Sequence, residues 1–282
     1  MTDKRMQPIY NHKINIGMSL VEKGGILAYI SPGFKKYPNI NHFFSTRKSG
    51  VSSGAYESLN LSWRRNDLIE NIKTNYSLAC GAFGMDWGEI VFAEQTHSDH
   101  VSYVTFDDRN KYELNKRLVS DTDALITDQK GLILTARTAD CVPILIYDPR
   151  GAIAAVHSGW KGTLNNISGK TIAAMKVRFG SEPSKLIAAI GPSIGPCCFE
   201  VGNDVAAKFA ENGYHNAIKE NEDKNPSIDL WSCCIEQLLE SGLMPETITL
   251  AGVCTSCRGD LFFSHRRDKG NTGGMAAFIQ LI

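Results

Sequence analysis

Two imidazoles and one thiol, His97, Cys141 and His157, are the side chains of this sequence best suited to chemistry. Zinc takes thiolate and imidazole ligands, and three protein ligands with one position left open mark a catalytic site. The spacing contains no short metal motif such as His-Glu-x-x-His, so a plainer reading stands beside this one. A histidine that ends a strand is commonly a solvated residue, and a cysteine between strands is commonly a small hydrophobe. What brings two of the three together is the stretch 137–162, RTADCVPILIYDPRGAIAAVHSGWKG. Its apolar runs 142–147 and 152–156, joined across Asp148-Pro149-Arg150-Gly151, predict a β-hairpin. Pairing Tyr147 with Gly151 puts Cys141 opposite His157, and directly opposed side chains have Cβ atoms about 4.5–5.5 Å apart. Arg137 and Asp140 lie just before the cysteine, with Trp160 and Lys161 just after the histidine.

The rest of the chain must position these groups. At 282 residues it is larger than the common domain size but can form one domain, and no repeat or linker divides it. A single catalytic domain over 1–282 is therefore expected, with 1–24 as a variable lead-in. Thirty basic and thirty acidic residues cancel, so no field of one sign draws the chain to nucleic acid or to an anionic membrane. The opening MTDKRMQPIYNHK lacks the apolar stretch of a signal peptide, and no apolar run approaches the ~18 residues of a membrane span. Eight cysteines in such a chain point to reduced thiols and a cytoplasmic location.

Strands are expected over 25–30, 42–46, 90–93, 100–106, 124–126, 132–136, 186–190, 248–253 and 275–282, besides the hairpin. Helices are expected from Asn66 or Asp67 to Ala82, with Leu68, Ile72, Leu78 and Ala79 as the apolar stripe, and over 163–179, 204–211 and 229–241. The hairpin, a helix and then the strand at 186–190 make a crossover unit, so a mixed α/β fold with some parallel pairing follows. The Gly/Ser segment 45–62 is long enough for a functional loop. Charged stretches at 107–119 and 216–225 read as surface.

Several motifs, in order along residues 40–282, resemble the YfiH/YlmD family: QTHSDHV, TARTADCVPILIYD, AAVHSGWKGT, AIGPSIGPCCFEVG and CTSCRGDLFFSHRRDKGNTGG. Its members are called purine nucleoside phosphorylases and, in older naming, polyphenol oxidases or laccase-domain proteins. The resemblance implies a mixed α/β fold distantly similar to that of cytotoxic-necrotising-factor toxins. It also implies a His-Cys-His metal site at His97, Cys141 and His157. The activities implied are phosphorolysis of adenosine, inosine and methylthioadenosine, and deamination of adenosine. The family pattern closes with Thr-Gly-Arg, whereas Gly274 stands here at the place of that arginine.

Phosphorolysis needs a held phosphate dianion and a stabilised departing purine. Arginines suit the phosphate, as do backbone N–H groups at the turn 159–162 if it opens the next helix. Arg137, Asp140 and Arg267 are the candidate catalytic residues; Arg47, Asn60, Trp160 and Arg266 are the candidate contacts to substrate and phosphate. Asn60 and Asp140 could instead reach ribose hydroxyls or orient a ligand histidine. Trp160 either packs or stacks a base. Deamination needs a nucleophilic water, which an open zinc supplies by lowering its pKa to about 7.

Three other readings compete. Cys141 and His157 could be the nucleophile and base of a metal-free cysteine hydrolase. A copper polyphenol oxidase would want many histidine ligands, and the chain has seven histidines, of which His12, His42, His100 and His215 show no clustering. A non-enzymatic zinc-binding protein would show a fourth ligand. Among the remaining thiols, Cys197-Cys198 and the Cys-x-x-Cys pair Cys254 and Cys257 could form a second metal site or a redox pair. Pro196-Cys197 is followed by Glu200 where the Pro-Cys-x-x-Cys motif of zinc nucleoside deaminases needs its second cysteine. Cys80, Cys233 and Cys234 read as core.

Overall fold

The computed structural model describes residues 13–63, 66–220 and 225–282. Two seven-stranded sheets carry the architecture. The first runs in the order Asn15–Ile16, Ile248–Leu250, Ile187–Ile190, Val142–Asp148, Ala152–Ser158, Ala124–Thr127 and Val101–Tyr103. The second runs Ser19–Lys23, Ile26–Ile30, Ile40–Ser45, Met275–Leu281, Ile133–Thr138, Ile90–Ala93 and Leu118–Val119. Both are mixed: Ile187–Ile190 pairs in parallel with Ile248–Leu250 and antiparallel with Val142–Asp148.

The unbroken apolar run of Val142–Asp148 follows from its place, since every position is buried and each face meets a different partner. Ile144 and Ile146 join a core with Ile172 and Met175 of helix Ile167–Phe179 and with Trp231 and Leu238 of helix Leu230–Glu240. Leu145 and Tyr147 point the other way, onto Leu134, Ala277 and Ile279 of the second sheet. That sheet's far face packs Phe43, Ile133 and Phe278 against Ile72, Tyr76 and Ala79 of helix Ile69–Ala82. Each fully buried Ile or Leu stabilises these layers by roughly 1.5–3 kcal/mol. The sequence of layers is helix, sheet, sheet, helix, which is the mixed α/β architecture expected.

Several local expectations need correction, among them the surface reading of 107–119, where Leu118–Val119 is an edge strand and Asn110 and Leu114 are buried. Within the lead-in, Asn15–Ile16 and Ser19–Lys23 are edge strands of the two sheets, while residues 1–12 lie outside the described ones. The helix expected over 163–179 is two, Trp160–Leu164 and Ile167–Phe179. Asn166 sits between them in the left-handed region at φ 58°, and its side chain accepts the Gly169 N–H to cap the second. A dipole at the turn 159–162 therefore belongs to a five-residue helix, and the longer one starts elsewhere. In Ile69–Ala82 the buried face is Ile72, Asn75, Tyr76, Ala79 and Cys80, with Leu68 and Leu78 exposed. Asp67 binds Ser52 and Asn60 instead of capping that helix.

Candidate metal centre and substrate cavity

The hairpin pairs Pro143 with His157 and Val142 with Ser158, one residue later along each strand than expected. Its turn keeps Gly151 at φ 109°, and the Gly151 N–H donates to the Asp148 carbonyl at 2.9 Å. Cys141 thus stands just beyond the last pair, facing Gly159. Glycine is required there: a Cβ on Gly159 would lie 2.6 Å from Cδ2 of His97 and 3.4 Å from Sγ of Cys141. The missing side chain is what lets a third strand end deliver its histidine.

That histidine follows strand Ile90–Ala93, in a loop where His97 takes φ 63°. The loop is held by one carboxylate. Asp123 accepts the backbone N–H groups of Thr96, His97 and Ser98 at 3.1, 3.2 and 2.7 Å, and the Ser98 hydroxyl at 2.8 Å. Its Oδ1 also lies 2.6 Å from Nδ1 of His157. The register explains this meeting, because Ala124 pairs antiparallel with Val156, which sets Asp123 opposite His157. Engaging Nδ1 fixes the ring and turns Nε2 toward Cys141 and His97, the arrangement that orients metal-bound imidazoles.

One nitrogen or sulfur atom from each of His97, Cys141 and His157 lies within 4.8 Å of the others. Sγ of Cys141 is 3.8 Å from Nε2 of His97, and the two imidazole rings meet edge to face at 5.0 Å. A tetrahedral zinc with ordinary bond lengths separates its sulfur and nitrogen ligands by about 3.5 Å, so the three fit that ion with small adjustment. Among the described residues no further His, Cys, Asp or Glu joins them.

The same groups are electrostatically coupled. Burial would raise the Cys141 thiol, yet the charge of His157 and the contacts of both histidines bring it down to about 6. Burial would likewise depress His157, but the Cys141 thiolate and the Asp123 carboxylate raise it to about 9. Asp123, which burial alone would raise, is held at about 2 by His157 and Ser98. Both shifts favour a thiolate on Cys141 and a proton on His157; a cation bound to the sulfur and both imidazoles would take the place of that proton.

A cavity of about 560 Å³ opens beside these three side chains, within the range of small-molecule sites. Arg137, Asp140, Trp160 and Arg266 of the expected residues line it, together with Phe199 and Gly274. Arg137 lies on strand Ile133–Thr138, its guanidinium 3.8 Å over the Trp63 ring and its Nη2 donating to the Ala93 carbonyl at 2.8 Å. Gln95 grips the Arg137 backbone at both ends, accepting its N–H and donating to its carbonyl. Arg266 donates to the Cys198 carbonyl at 2.9 Å while standing exposed at the rim.

The other expected residues build walls. Asp140, at φ 93°, accepts the Thr255 hydroxyl at 2.6 Å, the Ser264 hydroxyl at 3.0 Å and the Arg266 N–H at 2.7 Å. The carboxylate that orients His157 is Asp123, not Asp140. Asn60 is fully buried and accepts the N–H groups of Ser62 and Gly274 at 2.9 Å each. Arg47 donates to the Glu57 carbonyl and stacks on Phe263, and Arg267 is spread over Asp268 and the Thr255 and Phe262 carbonyls. Neither Arg47 nor Arg267 is among the cavity's lining residues. Sequence reasoning missed Asp123 and His265, an exposed histidine on the cavity wall. No local sequence pattern marks Asp123, because its meeting with His157 comes from the docking of two strands.

Gly274 packs tightly, for a Cβ there would lie 2.9 Å from the Ser62 Cβ. No helix among the described residues is long and apolar enough to cross a membrane.

Comparison with known proteins places this geometry. Residues 41–282 match the family model described as multi-copper polyphenol oxidoreductase laccase. The chain is 36% identical over 259 residues to a purine nucleoside phosphorylase of Bacteroides thetaiotaomicron, covering 89% of this chain and 94% of that one. It is 36% identical over 241 residues to purine nucleoside phosphorylase YlmD of Bacillus subtilis, covering 84% and 86%. Among solved structures, YlmD from Geobacillus stearothermophilus superposes with a TM-score of 0.86 at 31% identity, covering 95% of this chain and 99% of that one. Bacillus licheniformis YfiH superposes at 0.84 with 32% identity, covering 91% and 96%.

Proposed function

The chain belongs to the YfiH/YlmD family, and on that footing we propose that it is a zinc-dependent purine nucleoside phosphorylase. Its substrates are adenosine, inosine and S-methyl-5'-thioadenosine, which phosphate cleaves to the free base and ribose 1-phosphate or methylthioribose 1-phosphate; adenosine deamination is a side activity. The observation that carries this reading is the convergence of His97, Cys141 and His157 on a cavity that also receives Arg137 and Arg266. It acts as one catalytic domain in the cytoplasm.

His97, Cys141 and His157 would hold the ion. When bound, zinc supplies a Lewis acid for a purine nitrogen and a water whose pKa falls to about 7. The chain's own groups do the rest. Arg266, and Arg137 from its cushion of Trp63, balance the phosphate charge as the bond from ribose C1′ to the base breaks and that to a phosphate oxygen forms. Trp160 offers an apolar face to the purine. Asp140 and Asn60 are positioning residues that fix the rim at Arg266 and Gly274. Multi-copper oxidase chemistry fits less well: a His₂Cys set can hold a single copper, but the other metal-competent group among the described residues is all cysteine, and no histidine-rich cluster accompanies them.

The test is to incubate the purified chain with adenosine, with and without phosphate. Adenine and ribose 1-phosphate formed only with phosphate support the phosphorylase, and inosine without phosphate supports the deaminase. If neither product forms while thiol alkylation still abolishes some other hydrolysis, the ion pair of Cys141 and His157 is working as a cysteine nucleophile and its base.

A further inference from the structure

Four of the eight cysteines lie outside that centre, on two loops at the edge of the core, with Cys254 itself buried. Cys197, Cys198, Cys254 and Cys257 each bring Sγ within 4.8 Å of the other three. Cys257 is 3.6 Å from Cys197 and 3.4 Å from Cys198, sulfur to sulfur. By contrast Cys80, Cys233 and Cys234 are fully buried packing residues.

Backbone geometry, not chance proximity, gathers the four. The N–H groups of Cys198 and Phe199 both donate to the Gly195 carbonyl at 3.0 Å, curling the chain so that adjacent cysteines face one point. The Arg258 N–H closes on the Cys254 carbonyl at 3.1 Å and does the same for the Cys-x-x-Cys pair. A bridge between Ser193 and Cys254 sets the two turns side by side. Gly195 permits the approach, since a Cβ there would lie 2.8 Å from the Trp231 ring and 3.3 Å from the Cys254 Cβ. Its N–H donates to Sγ of Cys254 at 3.2 Å, a contact that favours the thiolate.

We propose that Cys197, Cys198, Cys254 and Cys257 form a second, structural zinc site, closed by four thiolates, that staples together two loops of the cavity wall. Tetrahedral Zn–S bonds of about 2.3 Å put sulfurs about 3.8 Å apart. The observed spacings sit near that edge and far from the roughly 2.05 Å of a disulfide. One disulfide would strand two sulfurs, and two disulfides would need far closer contacts than those observed, whereas one ion uses all four at these spacings. With no coordination position left open, the site is not catalytic. Its role follows from its neighbours. One stapled loop supplies Ile194 and Phe199 to the cavity, and the carbonyl of Cys198 receives Arg266. From the other loop, Thr255 donates to Asp140. The ion would hold this rim of the cavity in place, whatever the substrate is.

The reduced, full-length chain loaded with Co²⁺ in place of zinc decides the matter. Two ions per chain are expected, with the intense visible bands and sulfur-to-cobalt charge transfer of a four-sulfur site. His97→Ala/His157→Ala should keep one ion and that spectrum. Cys197→Ser/Cys257→Ser should also keep one ion but lose the four-sulfur bands. The proposal is overturned if the histidine double variant takes up no cobalt, or if the reduced wild type shows no four-sulfur spectrum. Neither outcome depends on the cysteine variant folding, and neither tests phosphorolysis.

Discussion

Asp123 and His157 face each other across neighbouring antiparallel strands, both buried, with Oδ1 of one 2.6 Å from Nδ1 of the other. The same carboxylate holds the loop that carries His97, so a single side chain orients two of the three proposed ligands. Asp123→Asn should lower zinc affinity roughly 10- to 100-fold, as losses of such supporting carboxylates do. Competition with a chromophoric chelator reads this directly; unchanged affinity would remove Asp123 from the account.

Gly159 gives a purely steric test. Its φ of −71° suits any residue, so alanine there meets no backbone strain. The added methyl meets the His97 ring at 2.6 Å. Gly159→Ala should fold with nearly wild-type thermal stability yet bind zinc at least tenfold more weakly, measured by the same competition. Equal affinity would mean that His97 is not confined where the structure puts it.

The central strands were readable because their apolar runs are buried on both faces, and the hairpin because Pro-Arg-Gly has one strong reading as a turn; the exposed or half-buried edge strands Ser19–Lys23 and Leu118–Val119 were not. The hairpin's register was not readable either, since Gly151 takes φ 109° in a loop lying one residue later than the alternative. The break at Asn165-Asn166 escaped because only the left-handed geometry of Asn166 separates the two helices. The convergence of His97, Cys141 and His157 was legible through motif and hairpin. Asp123 was not, because its pairing with His157 depends on the strand Ala124–Thr127 docking against the hairpin, a contact with no local signature.

Arg266 stands exposed at the cavity rim, its guanidinium donating to the Cys198 carbonyl and lying 5.4 Å over the Phe199 ring. If it faces phosphate, Arg266→Gln should raise the KM for phosphate tenfold or more, in line with roughly 1.5–3 kcal/mol for a hydrogen bond to a charged group. The KM for nucleoside and the zinc content should stay near wild type. Steady-state kinetics with each substrate varied separate these; a rise confined to the nucleoside would reassign the residue.

Asp140 predicts a stability effect. Its carboxylate accepts two hydroxyls and one N–H inside the fold. Asp140→Asn turns part of that acceptor into a donor and should cost roughly 1–3 kcal/mol, read by urea denaturation. A variant as stable as wild type would show that these bonds do not hold the rim.

His42 supplies a pH dependence away from the metal centre. Burial holds it at about 4, and its Nε2 already accepts the Ser31 N–H at 2.9 Å. The folded value lies below the ordinary 6.5 or so, so the unfolded chain binds the extra proton between the two. Its contribution is therefore complete above about pH 6.5 and is lost as pH falls toward 4, by roughly 3 kcal/mol over the window. Denaturation from pH 7 to 4 should show a shallower decline in His42→Leu than in wild type. Parallel curves would contradict the assignment.

Activity of the chain stripped of metal and then restored tests the central claim most directly. With adenosine and phosphate present, adenine release should vanish on chelation and return with zinc, and His97→Ala should stay inactive after the same treatment. Full phosphorolysis by the stripped chain would contradict it.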